Sequence, residues 1–237
     1  MRDLLGRPRR GRKARKHRTW YEKGGGAARL ARDKILLADY PTLEYITDEE
    51  TRSLNLEGPF VYDSRSGIRD VVKVRVVFPF DYPNHEPRAY DSDSHFPHTL
   101  ERHFYNDGHA DGRCCLWLPP KSKWNSKDPE SLRVFLDELA IFFERQLLFD
   151  ATGKWPGDEH DHGDNGYLEW IKEVLANNDR LVEIFSPVLG GSVKVSRNDS
   201  CPCGAEGSKY KRCHLSKIEE IRRGVPLTIL QRVFAAH

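Results

Sequence analysis

Asp70-Val71-Val72-Lys73-Val74-Arg75-Val76-Val77-Phe78-Pro79-Phe80-Asp81-Tyr82-Pro83 is the stretch on which the fold turns. Val72, Val74, Val76 and Phe78 fall on one side of a period-two alternation, with Lys73 and Arg75 on the other. That pattern predicts a half-buried antiparallel strand. Pro79, Pro83 and Pro87 lack the backbone donors a ladder needs and end the sheet pattern. On the N-terminal side, Leu54, Leu56, Phe60 and Val61 mark a second strand within 51–62, joined to the first by the turn-forming Asp63-Ser64-Arg65-Ser66-Gly67. Arg88-Ala89-Tyr90 suits one more short strand.

Further out, Leu30, Ile35 and Leu36 alternate with Arg29, Arg32 and Lys34 and predict an amphipathic helix over 27–39, closed near Pro41. Residues 91–127 have neither period, yet they hold Cys114, Cys115, Trp117 and Trp124. A long irregular segment of that content inside a compact domain points to function. Asp128-Pro129 reads as a helix start, with Leu132, Phe135, Leu136, Leu139, Phe142 and Phe143 as a buried stripe running to about Leu148. A His/Asp/Gly-rich loop over 157–166, with His160 and His162, precedes a helix near 167–177, and Pro187, Gly190 and Gly191 place a boundary in 186–199.

The 237 residues carry a formal net charge of +2 that conceals an asymmetry. Residues 1–19 hold nine Lys or Arg against one Asp, and residues 188–237 nine against four Asp or Glu, so the middle of the chain is acidic. An acidic body is a poor nucleic-acid binder, and only the basic arm suits that partner. No apolar run has membrane-spanning length and no signal-type apolar core opens the chain, so the expected setting is the cytoplasm with no membrane partner.

There, the five cysteines are expected as thiols or metal ligands. Cys201, Cys203, Cys213 and His214 bring three thiols and an imidazole within fourteen positions, a donor set suited to tetrahedral zinc in a closed, structural site. The adjacent pair Cys114-Cys115 needs another explanation.

The order helix, antiparallel meander, Phe78-Pro79-x-x-Tyr82-Pro83-x-x-x-Pro87, Gly112-x-x-Cys115-Leu116, Trp124, helix resembles the ubiquitin-conjugating enzyme superfamily over roughly 27–185. The resemblance implies an α+β fold of the UBC type, with an N-terminal helix, a β-meander, an active-site loop and C-terminal helices. It also implies that Cys115, directly before Leu, is the thioester-forming nucleophile, with Cys114 in the neighbouring apolar position. The family's His-Pro-Asn is replaced by His103-Phe104-Tyr105-Asn106. Asn106 suits oxyanion stabilisation, His103 a base or a loop anchor, and Asp111 or Asp107 orientation of an incoming amine. Arg29, Arg32 and Lys34 on the first helix would contact an activating enzyme. The His-rich 159–163 region is closer to bacterial members, encoded beside activating-like enzymes, JAB-type peptidases or cyclic-nucleotide antiphage systems of the CBASS type. The run from Cys201 to His214 in turn resembles the SEC-C motif at the end of the bacterial translocase ATPase SecA.

These readings divide the chain into a basic arm (1–26), a conjugating-type catalytic domain (27–187), a linker (188–200) and a SEC-C-type zinc module with C-terminal helices (201–237). The implied function is a ubiquitin-conjugating-like transferase. Its donor would be a ubiquitin-like protein or a cyclic-nucleotide synthase, delivered by a ubiquitin-activating-like enzyme, and its acceptor a protein amine. The alternatives are a non-catalytic adaptor that binds a ubiquitin-like protein or partner through this domain and the zinc knob, and a cysteine hydrolase using Cys115 with His103.

Overall fold

The structure is a computed structural model that describes residues 19–22, 24–63, 67, 69–105, 112–156 and 163–235. Four strands form one antiparallel sheet in sequential order: β1 (Glu44–Thr47), β2 (Leu54–Asp63), β3 (Arg69–Val77) and β4 (Arg88–Asp91). The register pairs Phe60 with Val72, Leu56 with Val76 and Val76 with Ala89, so the apolar members of the alternation share one face. Strand β1 was not read from the sequence; four residues at a sheet edge carry too short an alternation to register.

Seven helices complete the described residues: α1 (Gly24–Leu36), α2 (Ser131–Thr152), α3 (Gly163–Val174), α4 (Asp179–Leu189), α5 (Tyr210–Cys213), α6 (Leu215–Gly224) and α7 (Leu227–Ala235). None of the described helices is long and apolar enough to cross a membrane. The stripe expected on α2 is buried in full, against the inner face of the sheet. Each such side chain contributes about 1.5–3 kcal/mol by leaving water.

Helix α2 begins later than Asp128-Pro129 suggests, because Ser131 donates to the Asp128 carbonyl and closes a turn first. The expected arm over 1–26 is shortened. Residues 1–18 lie outside the described residues, but Trp20 is buried against Tyr82, with ring centroids 4.6 Å apart, and Gly24-Gly25-Gly26 opens α1. Gly26 is required there: a Cβ would lie 1.8 Å from the Trp20 carbonyl oxygen.

Helix α1 is locked by buried polar groups. Arg29 donates to Asp33 at 2.9 Å and to the Asp128 carbonyl at 2.9 Å, and its guanidinium lies over the Tyr82 and Trp124 rings. The Tyr82 hydroxyl donates to the other Asp33 oxygen at 2.7 Å. Burial raises the Asp33 carboxyl, and Tyr82 and Arg29 pull it back. The sequence placed Arg29 among partner-binding residues. The structure corrects this: Arg29 is 6% exposed and Asp33 0%, so the pair faces inward, while Arg32 and Lys34 stay exposed.

The C-terminal half departs further from expectation. Helix α4 crosses the supposed break at Pro187, since the Ser186 hydroxyl bonds the Glu183 carbonyl that proline leaves without a donor. Trp170, Ile171, Leu175, Val182, Phe185, Val188 and Leu189 then share a core with Tyr210, Ile218, Ile221, Leu230 and Val233. The division of apolar packing therefore falls before α3, not in 188–200.

Removing Asp33 leaves a buried guanidinium without its counter-charge. Asp33→Ala is expected to cost about 3–5 kcal/mol, whereas Tyr82→Phe, which deletes one hydrogen bond, is expected to cost about 1–3 kcal/mol. Urea denaturation of both variants checks the order and the size.

Candidate functional site

Residues 112–115 form a short extended strap clamped on both edges. Gly112 accepts from the Asp91 amide at 2.8 Å, and Cys114 donates to the Ala89 carbonyl at 2.9 Å. On the other side Cys115 donates to the His103 carbonyl at 2.8 Å, and Tyr105 to the Arg113 carbonyl at 2.9 Å. Only glycine suits position 112. Its φ is +72°, and a Cβ would meet the Asp91 carbonyl oxygen and the His98 ring, each at 2.4 Å. Buried Asp91 in turn accepts from the amides of His95 and Phe96 and pairs with His98 at 3.1 Å, which fixes the turn beneath the strap.

Extended backbone sends successive side chains to opposite faces. Cys114 enters the core at 5% exposure, while Cys115 is half-buried on the other side. The Cys115 thiol donates to the Trp117 carbonyl at 4.0 Å, and the Arg113 guanidinium lies 4.1 Å from the Tyr105 ring centroid. Burial pushes the Cys115 thiol above its ordinary value, and Tyr105 and Arg113 oppose that rise. The Glu86 carboxylate adds to the rise of the Cys115 thiol. A cavity of about 530 Å³ is lined by Cys114, Tyr105, Arg113, Leu116, Trp117 and Glu86, and Cys115 is not among its lining residues.

The expected site residues are only partly brought together. Cys115 holds the described centre. His103 supplies a backbone carbonyl to it, and its ring stacks on Trp155 at 4.3 Å, which makes it a loop anchor. Asn106, Asp107, Asp111, His160 and His162 lie outside the described residues. Tyr105, Arg113 and Glu86 were missed. The one signal available was the alternation of the strap, which puts Arg113 and Cys115 on one face and Cys114 on the other.

At the other end of the chain, Cys201, Cys203, Cys213 and His214 converge, with all four donor atoms within 4.8 Å of one another. Cys201 and Cys203 come from a turn closed by the Ser200–Lys209 bridge, Cys213 ends α5, and His214 precedes α6. The Phe185 ring of α4 packs against His214 at 5.0 Å. Desolvation and the neighbouring Cys201 and Cys203 sulfurs push the Cys213 thiol up to about 12. A cation among the four donors relieves that crowding, and the cluster can hold one metal ion.

No family model matches the chain. Similarity is found to the protein translocase subunit SecA of Coxiella burnetii, 34% identical over 88 residues, covering 35% of this chain and 9% of that protein. SecA of Xanthomonas euvesicatoria is 31% identical over 86 residues, again 35% of this chain and 9% of the relative. The chain thus spans about a tenth of the length of the curated relatives it matches. The similarity lies in the C-terminal, SEC-C-like region of SecA. A 35% share exceeds the length of 201–237, so the likeness is not confined to the cysteine module.

Two outcomes are expected. Iodoacetamide alkylation of Cys115, followed by peptide mass spectrometry, should have its midpoint above about pH 8.5, the ordinary thiol value. Tyr105→Phe should move it higher, because the hydroxyl that favours the thiolate is gone. Stripping the metal ion with a chelator, or Cys213→Ser, should unfold the second core while the strap and sheet persist, as read by hydrogen exchange across the two cores.

Proposed function

We propose that the chain is a ubiquitin-conjugating-like cysteine acyltransferase with a zinc-held, SEC-C-type C-terminal module. It accepts the C-terminal acyl group of a ubiquitin-like or other protein from an ATP-dependent activating enzyme, holds it as a thioester on Cys115, and passes it to an amine. One observation carries this reading: Cys115 is half-buried, on the opposite side of the strap from the buried Cys114, on backbone clamped from both sides. The succession of α1, a four-stranded antiparallel meander, the Tyr82-Pro83 turn, the cysteine strap and α2 supports it.

Loading exchanges one C–S bond for another and releases the donor thiol, so the site must position the acyl group more than drive the reaction. On discharge the amine nitrogen forms a C–N bond, the C–S bond breaks, and the sulfur leaves as a thiolate. The Tyr105 hydroxyl stabilises that developing charge, a contribution of the kind made by donors aimed at transition-state anions. Cys115 is raised by burial, so in the resting protein the sulfur is protected as a thiol and loading speeds up as pH rises.

The metal cluster fits zinc. Zn–S near 2.3 Å and Zn–N near 2.0 Å imply donor separations of about 3.5–3.8 Å in a tetrahedron. The sulfurs of Cys203 and Cys213 lie 3.6 Å apart, while His214 Nδ1 stands closer, 3.4 Å from Cys201 and 3.1 Å from Cys213, than a bound ion would hold it. Cys201, Cys203, Cys213 and His214 would hold the ion with no open position, so it would serve structurally, supplying about 10–16 kcal/mol of apparent binding energy to a small module.

A second reading, a non-catalytic adaptor of the same fold, is favoured by the burial that raises the Cys115 thiol. Incubation with the activating enzyme, ATP and donor, followed by a non-reducing gel, separates the two. A thiol-sensitive adduct is expected with the wild type and Cys114→Ala and should be absent from Cys115→Ala. Donor binding without any adduct would leave the adaptor.

A further inference from the structure

The outer face of the sheet carries guanidinium groups and phenol rings in one ordered row. Arg75 of β3 lies opposite Tyr90 of β4, and Tyr90 lies opposite Arg113 of the strap. The Tyr105 amide donates to the Arg113 carbonyl at 2.9 Å, so Tyr105 comes next. The order Arg75, Tyr90, Arg113, Tyr105 crosses four extended segments, about 14 Å at the usual strand spacing. The side chains follow the backbone. The Arg75 guanidinium lies 4.9 Å from the Tyr90 ring centroid, and that of Arg113 lies 4.1 Å from the Tyr105 centroid. Lys73 and Arg88 stand on the same face in the rows to either side, both exposed and without an ion-pair partner among the described residues. At the β2 end the row closes on Glu57, which accepts from Asn55 at 3.0 Å. Glu86, two residues before Arg88, is held by Trp117 and Ser122.

We propose that this row binds single-stranded nucleic acid, with bases stacked on the planes of the Arg75–Tyr90 and Arg113–Tyr105 pairs and phosphates on Lys73 and Arg88. A ring or a guanidinium plane offers a π-face to any base, and flanking cations meet the backbone charge. A sheet suits the task because alternate residues of every strand stand on one face, so planar groups from separate segments fall into line. An acidic polypeptide would use the four cations and leave the two rings idle, and the regular alternation of ring and cation therefore favours the nucleic acid. The net acidity of the body does not oppose this, since charges beyond a Debye length of about 10 Å are screened at ordinary salt. The sequence pointed only to the basic arm for such a partner, because Lys73, Arg75, Arg88 and Arg113 come from three segments that the sheet alone brings together.

Fluorescence anisotropy of the full chain with labelled dodecauridine and dodecathymidine, between about 50 and 200 mM salt, tests the face. Affinity for one or both strands is expected, weakening as salt rises. Tyr90→Leu keeps apolar bulk and removes the ring, and should lower affinity about 10-fold at an unchanged salt slope. Arg88→Gln should reduce the slope of log affinity against log salt by about 0.7, the loss of one phosphate contact. Ultraviolet crosslinking of the wild type to a bromouridine-substituted strand, mapped by mass spectrometry, should label Tyr90 or Tyr105 and decides the matter even if a variant does not fold. No binding at the lowest salt, crosslinks confined to residues 1–18, or both variants binding like the wild type overturns the proposal. Poly-glutamate that binds more tightly than either oligonucleotide, and equally well to Tyr90→Leu, assigns the face to an acidic polypeptide and overturns it too.

Discussion

Four backbone hydrogen bonds on residues 112–115 hold the candidate chemistry in place. They tie the strap to β4 on one edge and to 103–105 on the other, and so settle the facing of every side chain between them. A slip of one residue would exchange the two cysteines, burying Cys115 and exposing Cys114. Gly112 makes the slip costly, because only a residue without Cβ passes between the Asp91 carbonyl and the His98 ring. The buried Asp91 carboxylate supports the arrangement by collecting the donors of the following turn. The facing of the Cys115 thiol is thus set by backbone geometry.

The first half of the molecule also depends on a polar group in an apolar place. Arg29, Asp33 and Tyr82 link α1, the turn after β3 and the start of α2 through bonds of 2.7–2.9 Å. Such a network is expensive to bury and offers specificity in return: α1 can dock in only one rotation about its axis. The aromatic shell of Trp20, Phe78, Tyr82 and Trp124 shields it from water.

The two cores meet close to the candidate site. Gly224 of α6 approaches so near that a Cβ would lie 2.8 Å from the Trp170 ring and 3.1 Å from Pro120, which follows the cysteine strap in the chain. Lys121 pairs with Glu173 at 2.7 Å across the same junction. Asp164 at the start of α3 is held by both nitrogens of an Arg232 fork from α7 at 2.6 Å. The two cores therefore meet both through α3 and directly between α6 and Pro120.

Local order was legible in the sequence wherever the pattern was strong. The Val72-Val74-Val76 alternation gave β3 its place and its buried face, the α2 stripe survived residue for residue, and the spacing of Cys201, Cys203, Cys213 and His214 located the metal donors, because short-range covalent spacing already limits where they can meet. Long-range pairing was not legible. Arg29 reads as a surface charge until Asp33 and Tyr82 enclose it, and Gly24–Gly26 reads as a flexible arm until Trp20 packs on it. The α3–α4 helices read as the end of one domain until their apolar faces meet α6 and α7. Residues 103–105 and β4 clamp the cysteine strap from two separate segments. A one-dimensional pattern records which face a side chain takes, but which distant group stands opposite is decided only when the surfaces close on one another and exclude water.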